Sequence, residues 1–411
     1  MEKYMFSMVI IGLATFALPW VSILAKKAGI SYAVFYLLAG ILLYSLFPDI
    51  LPIPLPDDNG EEIVHLTELV VIISLMGVGI RIDQPFSFKK WASPLRLVFI
   101  AMLLCIAFAA AFGYFVLDLD IATAILLGAC LAPTDPVLAS DVQVGPPNEQ
   151  NKSSTKFVLT SEAGLNDGMA FPFTWLAVTV GIIASGGDAS LEEWFFYHFL
   201  YQIIGGIAIG YAFGKAAGYL VFNFFGKNEI LKNLEGFLAI SLTLLIYGIT
   251  ELLHAYGFIA VFVCAITFRH SEKEHEYHNS LHSFTDQIEQ MFIAVLLLLL
   301  GGAVALGILE PLNWKMVVFA LLFILLIRPV FAYISLTGST LKPRQKLVSS
   351  FFGIRGMGSL FYLSFGLNEI AFDSEDELWA IVTFCIGCSI LIHGLTATTA
   401  INYLKEKQDG W

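Results

Sequence analysis

Thirteen apolar stretches occupy most of this chain, at about 5–24, 31–47, 65–81, 95–117, 121–142, 155–184, 194–223, 235–253, 255–269, 287–307, 314–336, 346–367 and 378–400. A run of roughly 20 apolar residues crosses the ~30 Å hydrocarbon core of a bilayer as a helix. The expected fold is therefore an all-α polytopic membrane protein with about 13 transmembrane helices. Composition agrees: of 411 residues, 57% are hydrophobic and only 14% charged, far too apolar for a soluble globular chain.

Basic residues give an independent test, because cytoplasmic connections collect Lys and Arg. With the N-terminus outside, 17 of the 22 basic residues fall in inside connections, among them Lys26, Lys27, Arg81, Lys89, Lys90, Lys342 and Arg344. Two, Lys3 and Lys315, fall outside, and three, Lys215, Arg328 and Arg355, lie within apolar stretches. The expected topology is N-out, C-in, in the inner (plasma) membrane of a cell, with the lipid bilayer as the chain's main partner. Lys215 reads as snorkelling towards the inner surface. The net charge of −12 comes largely from acids assigned to outside loops, Asp57-Asp58-Asn59-Gly60-Glu61-Glu62 and Ser374-Glu375-Asp376-Glu377. They read as a solvated face, with no nucleic-acid partner implied.

No soluble domain is expected: residues 1–404 form a single transmembrane domain and 405–411 a short cytoplasmic tail. The first apolar segment lacks a cleavage site and reads as a retained helix. All five cysteines lie within predicted spans, and Cys385-x-x-Cys388 matches a metal pair only by spacing, so packing is the favoured reading. His275, His278 and His282 can share one helical face, but interleaved Glu and Lys favour a solvated amphipathic connector.

Two spans look broken. The fifth carries Pro133 and Pro136, each of which removes a backbone donor and frees a carbonyl. The twelfth carries Gly353, Gly356 and Gly358 around Arg355. Seven spans apart, they run in opposite directions, which is what two inverted six-helix repeats would produce: about 5–184 and 235–400, joined by a linker helix at about 194–223. Paired interruptions in matching halves point to a transporter's binding site.

The charges near these breaks carry the chemistry. Asp167, in Ser161-Glu162-Ala163-Gly164-Leu165-Asn166-Asp167-Gly168, lies twelve residues past Thr155, about 18 Å into the membrane at ~1.5 Å per residue. Asp135, in Pro133-Thr134-Asp135-Pro136, can reach the same depth from the other side. An ionised group there is costly and marks function. A hard monovalent cation takes oxygen ligands, and the candidates are Asp167, Asp135, the Thr134 hydroxyl or carbonyl, and the Asn166 amide, which can alternatively hold the unwound backbone. Burial and a second carboxylate both disfavour a bare anion, so proton and cation compete for one group. If the loaded carboxylate faces the two sides in turn, exchange of cation for proton follows.

Glu162 sits lower, on a different face of the helix from Asp167, and reads as a paired charge; Arg328 and Arg355 both match its depth. Glu68, at the outer start of the third span, can reach an ion path or face water.

At Pro133-Thr134-Asp135-Pro136 and Glu162-x-x-x-Asn166-Asp167, together with Arg328-Pro329 and Gly353-Ile354-Arg355-Gly356, the chain resembles the monovalent cation:proton antiporters, in particular the NhaP-like sodium/proton branch. The resemblance implies a thirteen-helix fold with crossed broken helices 5 and 12, a homodimer, and an elevator-like movement of a core against a dimerisation domain. It implies that Asp167 carries proton and cation, that Asp135 and the Thr134 carbonyl join the ion shell, and that Glu162 is bridged to an arginine, Arg328 ahead of Arg355. Electrogenic relatives have two consecutive aspartates where this chain has Asn166-Asp167, which implies one-for-one exchange. Some relatives place a serine after the glutamate, where Ala163 stands here. The expected function is thus Na⁺/H⁺ antiport, serving pH and sodium homeostasis, with Na⁺ or Li⁺ and H⁺ as transported ions and no cofactor. The alternatives are K⁺/H⁺ antiport on the same scaffold and, in another class, a sodium-coupled solute symporter, which would need more polar groups near the breaks. No nucleophile or metal constellation of an intramembrane enzyme is found.

Overall fold

Lipid-facing backbone has to satisfy its own hydrogen bonds, and among the described residues every regular element is helical, with no strand. The computed structural model describes residues 2–48, 54–135, 138, 142–147, 153–224, 235–271 and 277–405. The helices are α1 (Glu2–Ala28), α2 (Tyr32–Leu46), α3 (Pro56–Arg81), α4 (Ala92–Val116), α5 (Ile121–Leu131), α6 (Ser154–Ala184), α7 (Leu191–Phe222), α8 (Glu235–Leu252), α9 (Gly257–Arg269), α10 (Tyr277–Ala305), α11 (Trp314–Ser335), α12 (Pro343–Phe351), α13 (Met357–Glu369) and α14 (Glu375–Lys405).

Local chemistry sets several starts. Asp120 Oδ1 accepts from the backbone N–H groups of Ala122 and Thr123 at 2.8 and 3.1 Å, and Ser153 caps α6 through Lys156 N at 3.4 Å, supplying acceptors for donors that a helix start leaves unpaired. In α11 a wider, π-type turn at Phe323–Ile327 immediately precedes Arg328-Pro329. Pro329 has no N–H and its ring crowds the preceding turn, which accounts for the widening.

The structure departs from the sequence expectations in three places. Helix α3 begins at Pro56, so the acidic stretch expected as an outside loop forms its first turns; proline suits the first helical position, and acids favour the positive end of a helix. Helix α10 begins at Tyr277, and His282, expected on a solvated connector, is buried. His275 lies outside the described residues, as does the His278 side chain. The fifth stretch, expected to 142, is helical only to Leu131, and Pro136 lies outside the described residues.

Each of the thirteen expected stretches coincides with a described helix or, at 346–367, with a pair of them. Eight described helices are long and apolar enough to cross a membrane, four apolar helices are shorter, at 10–17 residues, and the stretch 346–367 is divided between α12 and α13.

Helices α3, α5, α6 and α13 pack on one another, and α10 packs on α2 and α3. The α2–α10 contact is backbone-close, since a Cβ at Gly40 would lie 2.3 Å from the Leu298 carbonyl oxygen and one at Gly301 2.3 Å from that of Leu37. Gly301→Ala should therefore separate these helices and cost about 1–3 kcal/mol by overpacking. By contrast Gly12→Ala, with nothing within 4 Å of the new Cβ, should be neutral or stabilise by up to about 1 kcal/mol. Melting curves in detergent check both.

Candidate functional site

A chain that stops being helical inside a membrane leaves donors and acceptors without partners, and the two interruptions supply them to each other. Asp135 N donates to the Ile354 carbonyl at 2.7 Å. The Asp135 carboxylate accepts from Met357 N at 2.8 Å through Oδ2 and from Leu138 N at 3.0 Å through Oδ1. Met357 is the first residue of α13, so Asp135 lies at the positive end of that helix, where an anion is favoured.

Side chains complete the arrangement. Thr134 N donates to Asn166 Oδ1 at 3.2 Å, and Asn166 Nδ2 donates to Thr134 Oγ1 at 2.9 Å. The Asn166 amide thus clasps the extended segment after α5. Across from it, Arg355 N donates to Ser389 Oγ at 2.8 Å, Arg355 donates to the Gly353 carbonyl at 2.9 Å, and His393 Nε2 stands 3.1 Å from the Phe351 carbonyl.

Asp167 sits near the middle of α6, 2% exposed. The Tyr362 hydroxyl donates to its backbone carbonyl, while its side-chain Oδ1 has no hydrogen-bond partner among the described residues. Asp135 and Asp167 share a cavity of about 10 Å³ with Val70, Val71, Ser74, Ile293, Met357 and Gly358. That is room for about one water-sized particle. Two glycines leave space for the carboxylates: a Cβ at Gly356 would lie 2.1 Å from Asp135 Oδ2, and one at Gly358 3.2 Å from Asp167 Oδ1.

The other sequence-selected residues are distributed around this centre. Thr134 and Asn166 bond to each other. Glu68 stands apart: it accepts from the Tyr247 hydroxyl and lines a different cavity, of about 310 Å³, with Glu251, Glu369, His198 and several aromatic rings. Glu162 bonds Arg328, with Nη2 to Oε1 at 2.6 Å and both side chains buried. Arg355 serves the Gly353 carbonyl and lies over the Phe323 ring, 5.3 Å from its centroid. Ser74, Ser389 and His393 were not singled out from the sequence; a lone polar side chain in an apolar helix was the available signal.

Removing one member of a buried ion pair strands the other. Glu162→Gln and Arg328→Ala should each destabilise by about 3–5 kcal/mol, and the double variant by clearly less than the two together. Unfolding of the four proteins in detergent measures the coupling; additivity would exclude the pair as a stabilising unit.

Comparison with known proteins bears on the family and the fold. Residues 11–402 match the family model described as sodium/hydrogen exchanger, transmembrane. The Na⁺/H⁺ antiporter of Saccharomyces cerevisiae is 22% identical over 377 residues, which are 83% of this chain and 38% of the yeast protein. The Na⁺/H⁺ antiporter NhaH of Halobacillus dabanensis is 26% identical, with 84% of each chain covered. The chain spans less than half the length of the first yeast antiporters it matches. The solved structure of the sodium proton antiporter MjNhaP1 from Methanocaldococcus jannaschii superposes with a TM-score of 0.76 over 98% of this chain and 99% of that one, at 19% identity. With that model spanning nearly all of its length, this multi-pass membrane chain belongs to the transmembrane sodium/hydrogen exchanger family.

Proposed function

We propose that the chain is a secondary-active Na⁺/H⁺ antiporter in which proton and cation compete for Asp167. The observation that carries the reading is a buried Asp167 oxygen without a partner among the described residues, in a cavity for one particle that a second carboxylate also lines. A carboxylate held so dry is stable only with a proton or a cation upon it. Either occupant satisfies it, and the cavity excludes both at once.

Charge supports one-for-one exchange. With Asp135, Asp167 and Glu162 ionised against Arg328 and Arg355, the buried group carries one net negative charge, which a single Na⁺ or a single H⁺ cancels. Both loaded forms can then cross the low-dielectric interior at similar cost, while the empty form cannot. In this reading the chain works as a homodimer in the plasma membrane, N-terminus outside and C-terminus cytoplasmic. The two repeats are built from about 5–184 and 235–400 around a linker helix, and a core carrying both breaks moves against the rest.

Asp167→Asn in proteoliposomes is expected to abolish cation-driven pH change, with Na⁺, Li⁺ and K⁺ compared at several pH values; retained exchange would refute the assignment. In the wild type, cation binding should tighten as pH rises, because fewer protons compete. An imposed membrane potential should leave the exchange rate unchanged, and a clear voltage response would exclude one-for-one exchange.

A further inference from the structure

One turn from the Asp135–Asp167 cavity lies a further buried acid that the competition at Asp167 does not use. Glu289 in α10 is 2% exposed, and its Oε1 has no hydrogen-bond partner among the described residues. It lies four residues before Ile293, which lines the cavity. Its Oε2 packs on α3 at Gly77, 3.7 Å from where a Cβ would stand, and Gly77 is three residues beyond Ser74, another lining residue. Residues spaced three or four apart share a helix face. On both helices Glu289 therefore stands one turn, about 5 Å, to one side of the cavity, and the Ser74 hydroxyl beside it makes no full hydrogen bond among the described residues.

On its other side Glu289 meets a charged cluster that reaches solvent. Arg81, at the end of α3, donates from Nε to His282 Nδ1 at 3.2 Å, from Nη1 to Gln143 at 2.6 Å and from Nη2 to Asp286 at 2.5 Å. Its Nη2 is 3.8 Å from Glu289 Oε2, too far for a hydrogen bond yet close enough to offset a negative charge. The Asp286 side chain is 33% exposed. The charged groups acting on Glu289 are thus Arg81 from α3, Asp286 from α10 and Asp135 across the cavity, with His282 of α10 bonded to Arg81. Helix α2 has no charged residue, and α8 has none between Phe237 and Thr250.

We propose that Glu289 relays protons between water at the Arg81–Asp286 cluster and the Asp135–Asp167 cavity, by way of the Ser74 hydroxyl. The Glu289 carboxyl gives its proton to the Ser74 oxygen as the Ser74 hydroxyl proton passes to a carboxylate oxygen in the cavity. The Glu289 carboxylate then takes a proton from water beside Asp286. One proton leaves the solvent, one enters the cavity, and Glu289 and Ser74 end as they began. In reverse the same steps discharge a proton as a cation arrives. Glu289 is a positioning residue for the proton and touches no cation.

The relay rests on the antiport reading, and wild-type exchange in proteoliposomes is therefore measured first. If the wild type moves no protons against Na⁺, Li⁺ or K⁺, both readings fall. If it does, Glu289→Gln is expected to slow exchange at least tenfold at alkaline pH, where protons are scarce, and to displace the rate profile to lower pH. The cation-induced rise in melting temperature, which reports binding to the folded state, should keep its half-maximal concentration within twofold. Ser74→Ala should act in the same direction, and Glu289→Asp should restore part of the rate. A wild-type rate and pH profile in Glu289→Gln would overturn the relay while leaving antiport intact. So would loss of the cation-induced stabilisation in both Glu289→Gln and Ser74→Ala, which would make them structural supports.

Discussion

The hydrogen bond from Met357 N to the Asp135 carboxylate joins what would otherwise be separate features. It ends the second interruption by starting α13, fixes the first interruption against it, and aims one carboxylate at the cavity facing the other. A hydrogen bond to a charged group contributes about 1.5–3 kcal/mol, and here it is reinforced by the positive end of a thirteen-residue helix. Fold and candidate site consequently share one interaction: the geometry that turns carboxylate oxygens towards the cavity is the geometry that lets the chain unwind within a membrane.

Charge is sorted around this centre. Asp135 and Asp167 face a space with room for one particle, whereas Glu162, Arg328 and Arg355 are tied to one another, to a carbonyl and to a ring. The first pair has only carboxylates across the cavity, while the second group sets acid against base. Among the described residues Asp167 and Glu162 each keep one buried oxygen without a hydrogen-bond partner, which is expensive; what sets them apart is that the other Glu162 oxygen holds Arg328 at 2.6 Å, whereas Asp167 faces the cavity and a second carboxylate.

Much of this was legible in the sequence, because an acid in an apolar stretch has few explanations. Asp167, Asp135 and the two interruptions stood out on that ground, and depth alone gave Glu162 two possible arginine partners. What escaped was whatever depends on which helix lies opposite. Glu289 sits in an apolar stretch just as Asp167 does, yet only the packing of α10 on α3 places it beside Ser74. Glu68 was left open between an ion path and water, and it stands instead among aromatic rings and two further acids. Ser389 and His393 hold up the Phe351–Arg355 backbone from a helix beginning twenty residues later, a relation no local pattern encodes. The early starts of α3 and α10 were missed because polar first turns resemble loops until the proline or the neighbouring helix is considered.

The guanidinium of Arg81 also reaches Gln143, in the short segment that follows the first interruption. Helices α3 and α10, which carry Arg81 and its acidic partners, are thereby fastened on one side to the same strip of backbone that leads into α6. If α6 moves along α3 in the exchange proposed above, this contact is one that the movement would strain. In that proposal the Arg81–Gln143 bond would act as a one-sided latch, remote from the cavity that holds the two aspartates.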